Sequence, residues 1–103
     1  MENSRESTRS IVQELMNEVI EQGFHELVHR PQESINLNEL ILSATTILGE
    51  QLHQIDQHPY KKGSEELQHY WKSITNEAER VSLELLMEIQ QIKQQYNPRL
   101  RRI

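Results

Sequence analysis

Apolar side chains recur every three or four positions along most of this chain, and this spacing is typical of amphipathic α-helices. The first such pattern keeps one register from Ile11 to Val28. Pro31 ends it, because a proline disfavours helical dihedral angles in the residue before it. The pattern predicts a first helix over about residues 10–29. Gly23 either ends this helix early as a C-terminal cap or lies inside it and lets a neighbour approach closely, and the unbroken register favours the second interpretation.

Two more helices follow the same spacing. Asn36, with Glu39 three residues later, resembles a capping box and predicts the start of a second helix over about residues 37–56. A stretch that contains a Pro and a Gly comes next and is predicted to form a loop. Ser64 is a suitable N-cap for a third helix, which we expect to extend over about residues 65–96 because no Gly or Pro interrupts it.

These elements predict an all-α fold, either a three-helix antiparallel bundle or a helical hairpin with an extended C-terminal helix. The length of 103 residues fits one domain, and three Gly and three Pro are too few for a turn-rich β-fold. The single helical domain is predicted over residues 10–96. Residues 1–9 are polar and are expected to form a flexible N-terminal arm or, alternatively, a first helical turn without core contact. Residues 97–103 are predicted to form a basic C-terminal tail.

The third predicted helix is longer than the other two and is apolar on more than one side. Its length would be about 48 Å at 1.5 Å per residue. A small three-helix domain has limited surface with which to cover so many apolar side chains. We therefore expect the protein to be an oligomer in which a second copy or a dedicated partner covers this region; the alternative is that the first and second helices cover one side each. The predicted interface consists of Val81, Leu83, Leu85, Leu86, Met87, Ile89, Ile92 and Tyr96.

The charge of the chain is unevenly distributed. The net charge is −5, with 11 basic and 16 acidic side chains. Three of the basic residues, Arg99, Arg101 and Arg102, lie in the tail, so that the rest of the chain has eight basic against 16 acidic side chains. An acidic body repels phosphate, which makes direct nucleic-acid binding an unfavourable interpretation. It favours an alternative function, an acidic regulator that masks a basic or nucleic-acid-binding surface of a partner.

Several classes of protein are excluded by composition. The chain has no Cys, which excludes disulfides, thiolate metal sites and cysteine nucleophiles. No unbroken apolar run exceeds three residues, so that no segment is predicted to span a bilayer. The N-terminal residues lack the apolar core of a secretory signal. We therefore expect an intracellular protein, cytoplasmic or nuclear, without membrane association.

One short segment carries candidate chemistry. Residues 25–29, His-Glu-Leu-Val-His, match H-E-x-x-H and resemble the zincin metalloprotease signature over these five residues. The resemblance implies that His25 and His29 hold a zinc ion and that Glu26 is the general base. The extended form of the motif is absent, because Gln32 and Ile35 occupy the positions of its Gly and third His. A catalytic zinc also needs a third protein ligand, so we expect no enzymatic activity from this segment.

A second alternative is a His/Glu metal-binding helical protein. Glu-x-x-His pairs bind iron in the core of some helical bundles, and this chain has such pairs at Glu50/His53 and Glu66/His69, besides His29 with Glu26. If the second and third helices form an antiparallel hairpin, the first two pairs lie near the same end. They fall outside the apolar rows, however, so that solvated side chains are the expected state, and no cofactor is predicted.

Together these observations predict a non-enzymatic subunit whose function is protein–protein interaction. The proposed contact surface is the apolar surface of the long C-terminal helix. The partner is expected to be a protein, either in a homo-oligomer or in a dedicated hetero-complex.

Overall fold

A computed structural model describes residues 4–95, and these residues form three long α-helices with no strand among them. Helix α1 extends over Arg5–His29, α2 over Ser34–Asp56 and α3 over Glu65–Gln95. A single 3-10 turn at Pro31–Glu33 joins α1 to α2. The predicted all-α fold is confirmed, and α1 and α2 both begin earlier than the sequence pattern indicates.

Helix α1 packs closely against both other helices, whereas α2 and α3 meet only sparsely. Arg5 at the start of α1 is ion-paired with Asp56 at the end of α2, so these two helices run in opposite directions. The Glu26 carboxylate near the end of α1 lies 3.9 Å from Nζ of Lys93 near the end of α3, so these two run in the same direction. Helix α1 therefore holds the other two together.

The hydrophobic core follows one side of each helix, as the apolar spacing predicts. Trp71 is 2% exposed and has the largest volume of the fully buried side chains among the described residues. Its ring meets the ring of His58 edge-on, with centroids 5.1 Å apart. The core cluster consists of Val12, Met16, Val19, Leu40, Ala44, Ile55, Leu67, Trp71, Ile74, Ala78, Val81, Leu85 and Ile89.

Gly23 lies inside the uninterrupted α1, which confirms the interpretation of a close helix contact. It is buried, and a Cβ atom added to it would lie only 2.7 Å from Cγ1 of Ile41 on α2. Real Cβ atoms do not come so close, and Cγ1 is the branched stem of that side chain rather than its end. The absence of a side chain at this position therefore sets how closely α1 and α2 approach.

Two glycine substitutions should change stability in opposite directions. Gly23→Ala forces Ile41 or the α2 backbone to move, at a cost of about 1–3 kcal/mol that the gain of about 1 kcal/mol in helix propensity only partly offsets. Gly49→Ala, inside α2 with nothing within 4 Å of the new Cβ, gains propensity alone and should stabilise by about 0.5–1 kcal/mol. Urea unfolding of both variants measures this difference. Equal stabilisation by both would show that the α1–α2 contact at Gly23 is wrong.

The prediction of a flexible arm over residues 1–9 is wrong for residues 5–9, which belong to α1. Ser4 caps the helix: its Oγ accepts from the Ser7 amide at 3.0 Å, and its own amide donates to the Ser7 Oγ at 2.8 Å. Thr8 is fully buried, so this turn also joins the core. Residues 1–3, Tyr96 and the predicted tail over 97–103 lie outside the described residues.

The first turns of α1 are also tied to α2 by charge. Arg5 and Arg9 both donate to Oδ1 of Asp56, at 2.7 Å and 2.5 Å. These hydrogen bonds, from Arg5 first and then Arg9, hold the pKa of Asp56 below its ordinary value of 3.8. All three side chains are substantially exposed, so the stabilisation is modest.

A lowered carboxyl pKa makes this contribution depend on pH in a defined direction. The stabilisation is present above the unfolded pKa and is lost as the pH falls through the lower folded pKa. Asp56→Asn should lower the melting temperature by no more than a few degrees at neutral pH. The difference from wild type should shrink as the pH falls below 3.8 and then vanish. Calorimetry across this range checks it, and a difference independent of pH would contradict the ion pair.

The start of α2 differs from the prediction, whereas the start of α3 agrees with it. Asn36 is not the N-cap of α2, because the turn at Pro31 leads directly into the helix, which begins at Ser34. The Asn36 side chain instead donates a hydrogen bond to the Glu33 carboxylate at 3.0 Å. At α3 the Ser64 Oγ accepts from the Leu67 amide at 3.1 Å, which confirms the predicted cap.

Among residues 4–95, no helix is long and apolar enough to cross a membrane.

Candidate interaction surface

Helix α3 presents apolar side chains to solvent on the side away from the core. Leu83 and Met87 are 61% and 62% exposed. They lie one helical turn apart on the same face, and Leu86 beside them is partly buried against the core. These three residues are called the outer row of α3. Large apolar side chains that remain exposed in a group mark a candidate contact surface.

Four other residues of the predicted interface do not belong to this surface. The described chain itself buries Val81, Leu85, Ile89 and Ile92, and it does so on the side of α3 that faces the other helices. The alternative weighed from the sequence, that neighbouring helices of the same chain cover part of α3, therefore holds for these four. Of the predicted interface, only the outer row (Leu83, Leu86 and Met87) therefore remains a candidate among the described residues. Tyr96 lies outside them.

Charged side chains border the outer row on one side. Arg80 donates to Oε1 of Glu77 at 2.5 Å and to Oε1 of Glu84 at 2.7 Å, and all three side chains are more than half exposed. Glu77 and then Glu84 raise the pKa of Arg80 above its ordinary value. Glu88 extends this acidic border by one more turn. The row is therefore short, apolar in the middle and polar at its edge, as protein interfaces often are.

A second exposed apolar surface lies at the turn between α1 and α2. It is formed by Phe24, Val28, Ile35 and Leu42, which are between 52% and 79% exposed. Phe24 and Leu42 directly follow Gly23 and Ile41, the residues at which α1 and α2 touch. When two antiparallel helices are viewed end-on, one winds clockwise and the other counter-clockwise along its sequence. The residues that directly follow two contacting residues therefore lie on the same side of the helix pair. We call these four residues the hairpin-end surface.

The hairpin-end surface is absent from the sequence-based predictions. The apolar rows of the first predicted helix continue through Phe24 and Val28, but the spacing alone does not show that these two residues are exposed. A signal was present: Ile35 and Leu42 are seven residues apart, and they fall outside the main apolar row of their helix. A short apolar row outside the register of the core, such as Ile35 and Leu42, predicts a second exposed face.

The H-E-x-x-H segment has exposed imidazoles and a buried, ion-paired carboxylate. The rings of His25 and His29 are exposed and 4.4 Å apart, centroid to centroid. Nδ1 of His29 donates to the His25 carbonyl at 2.9 Å. The Glu26 side chain is buried on a different side of α1, and its Oε1 accepts from Nε of Arg30 at 2.8 Å. This carboxylate is therefore part of an ion pair and does not share a face with the two imidazoles.

The other candidate ligands do not come together either. Glu50, His53, Glu66 and His69 are all exposed. Within residues 4–95, no group of three or more His, Asp or Glu side chains is close enough to hold a metal ion. The loop-end carboxylate that could have joined them, Asp56, is bound by two arginines. The described residues therefore offer no geometry on which to propose a metal centre.

Comparison with protein families, curated proteins and solved structures finds no match to this chain. The function is therefore inferred from the geometry and chemistry of the molecule itself.

Proposed function

We propose that this protein is a non-enzymatic, helical interaction subunit that assembles with a second copy of itself through the outer row of α3. The observation that carries the proposal is the exposure of Leu83 and Met87, which are 61% and 62% accessible to solvent on a helix whose opposite side is fully packed. Burying such side chains contributes about 1.5–3 kcal/mol each when contact is complete. A dimer that buries Leu83 and Met87 of both copies gains this contribution from four side chains.

An antiparallel pairing of the two α3 helices suits the sequence of the row. It places Leu83 opposite Met87 of the second copy and keeps both apolar contacts at the centre. Glu84 follows Leu83 and Glu88 follows Met87, so an antiparallel pair places the acidic flanks of both copies on the same side of the contact, and added salt screens the repulsion between them. The two-fold symmetry of most homodimers provides this geometry, because each copy then offers the same surface to the other.

Single cysteines test the pairing and its direction. The chain has no Cys, so each variant has one thiol. A mixture of Leu83→Cys and Met87→Cys should form a disulfide between two chains in mild oxidant, because opposed residues reach the required Cβ separation of about 3.5–4.5 Å. Leu83→Cys alone should cross-link poorly. Phe24→Cys on the hairpin-end surface is the matched control for random collision.

The outcomes separate the alternatives. Faster cross-linking of the mixture than of either single variant supports the antiparallel pair. Fast cross-linking of Leu83→Cys with itself would replace it by a parallel pair. Rates equal to that of the Phe24→Cys control would contradict assembly through α3.

A second candidate function, an acidic regulator, has its own supporting observation. Glu77, Glu84 and Glu88 border the outer row, and among residues 4–95 Arg80 is ion-paired with the first two of them. This arrangement also suits a partner helix with apolar residues flanked by lysine or arginine. Salt distinguishes the two functions: added salt screens repulsion between two acidic copies and strengthens self-assembly, whereas it weakens attraction to a basic partner.

A further inference from the structure

The hairpin-end surface is the larger of the two exposed apolar surfaces in the described part of the chain. It holds four of the seven large apolar side chains that are exposed among residues 4–95, whereas the outer row of α3 holds two. Val28 and Ile35 are the most accessible of the seven, at 79% and 75% exposed. An apolar surface of this kind, bordered by polar side chains, is typical of a contact with another macromolecule.

Helices α1 and α2 build this surface without α3. On α2, Ile35 and Leu42 are seven residues apart, and on α1, Phe24 and Val28 are four residues apart. The surface therefore extends roughly 10 Å along the helix axes at 1.5 Å per residue. This length matches two turns of a partner helix, which would make contact through apolar residues at i, i+3 or i+4, and i+7.

An acidic side chain borders the apolar residues on each of the two helices. Glu21 lies one turn before Phe24 on α1, and Glu39 lies one turn from both Ile35 and Leu42 on α2. Both glutamates are exposed. Within residues 4–95 neither carboxylate takes part in an ion pair. Two negative charges are thus available to an occupant of the surface.

The basic side chains of this part of the molecule do not offset these charges. Helix α2 contains no Lys or Arg. The arginines of α1 are Arg5 and Arg9, which bind Asp56 at the opposite end of the helix pair. Arg30, at the turn, is paired with Glu26. The surface therefore repels anionic lipid headgroups and nucleic-acid phosphates, and it also repels the same surface of a second copy.

We propose that the hairpin-end surface binds an amphipathic helix of a different protein, in which apolar residues at i, i+3 or i+4, and i+7 are flanked by Lys or Arg. The apolar residues of that helix cover the four exposed apolar side chains, and its basic residues pair with Glu21 and Glu39. The inference adds a second surface to the proposed interaction subunit and does not depend on pairing through α3.

A library of synthetic helical peptides tests the proposal on the full chain. The peptides have apolar residues at i, i+3, i+4 and i+7 and flanking positions that vary among Glu, Gln and Lys. The peptides selected by binding should have Lys at the flanks. Fluorescence anisotropy then measures their affinities for protein variants. Phe24→Gln/Leu42→Gln should weaken binding by about 30- to 1,000-fold, and Glu21→Gln/Glu39→Gln by about 2- to 30-fold.

Two matched variants on α3 serve as controls. Leu83→Gln/Met87→Gln removes exposed apolar side chains of the same kind, and Glu66→Gln/Glu79→Gln removes two charges from exposed carboxylates. Both variants should bind the selected peptides with the affinity of the wild-type chain. Thermal unfolding followed by circular dichroism verifies that every variant is folded, which is expected because all the substituted side chains are exposed.

Each contrary result identifies a different error. Selection of neutral or acidic flanks, or of no peptide at all, would overturn the proposal. Loss of peptide binding only in Leu83→Gln/Met87→Gln would overturn it in favour of the outer row as the docking surface. Dissociation of a dimer by Phe24→Gln/Leu42→Gln without peptide would overturn it in favour of a second copy as the occupant. A chain that binds the peptides at this surface but stays monomeric would support it and contradict only the pairing through α3.

Discussion

Trp71→Ala is expected to lower the free energy of unfolding by about 3–5 kcal/mol. The indole is 2% exposed and belongs to the core cluster of all three helices, next to His58 and Tyr70. The cavity left by truncation lies near an existing space of about 610 Å³ at the loop end, which Trp71 helps to line. A substitution there would therefore open the core to solvent. For a domain of this size, the melting temperature should fall by roughly 15–30 °C.

Two controls make this prediction specific. Trp71→Phe retains a six-membered ring and leaves a smaller cavity, so it should cost clearly less than Trp71→Ala. Lys72→Ala, at the exposed neighbouring position, should change stability by no more than about 0.5 kcal/mol. Urea unfolding followed by circular dichroism measures all three variants. If Trp71→Ala were no more destabilised than Lys72→Ala, the packing of α3 against α1 and α2 would have to be wrong.

The double substitution Leu83→Gln/Met87→Gln is expected to weaken self-assembly by about 1,000-fold or more, because the dimer loses four apolar side chains from its contact, two on each copy. Each residue lies at the centre of the proposed contact, where truncation typically costs about 1–2 kcal/mol. Glutamine is chosen because its helix propensity is close to those of leucine and methionine. Both side chains are exposed in the single chain, so the stability of the monomer should change by no more than about 0.5 kcal/mol.

The matched control for this variant is Phe24→Gln/Val28→Gln. It removes the same kind of exposed apolar side chain, one turn apart on a helix, but from the hairpin-end surface. Dissociation constants from a dilution series by analytical ultracentrifugation compare the two. A control that weakens assembly as strongly as the α3 variant would assign the contact to the hairpin-end surface or to non-specific apolar association.

The order and type of the helices follow from the sequence, because apolar spacing, Pro31 and the Ser64 cap are local signals. The errors lie where local signals mislead. The polar composition of the turn containing Thr8 predicts an arm, but Thr8 is fully buried and Ser4 caps the helix through Ser7. Asn36 and Glu39 match the sequence of a capping box, but α2 begins two residues earlier, at Ser34, directly after the 3-10 turn at Pro31.

The candidate interface was only partly predictable, for a physical reason. A helical pattern shows that Val81, Leu83, Leu85 and Met87 occupy more than one side of α3, but it cannot show which sides neighbouring helices cover. The structure places Val81 and Leu85 against the core and leaves Leu83 and Met87 in solvent. The hairpin-end surface could not be predicted for the same reason. The close approach of α1 and α2 at Gly23 determines which of their apolar residues face solvent, and a helical pattern does not show this contact.

Sedimentation equilibrium of the wild-type chain tests the central claim most directly. The account predicts an average mass that rises with concentration from 12.3 kDa toward twice that value, with a transition that moves to lower concentration as salt is added. A folded chain that stays at 12.3 kDa at every accessible concentration and salt level would contradict assembly through Leu83 and Met87.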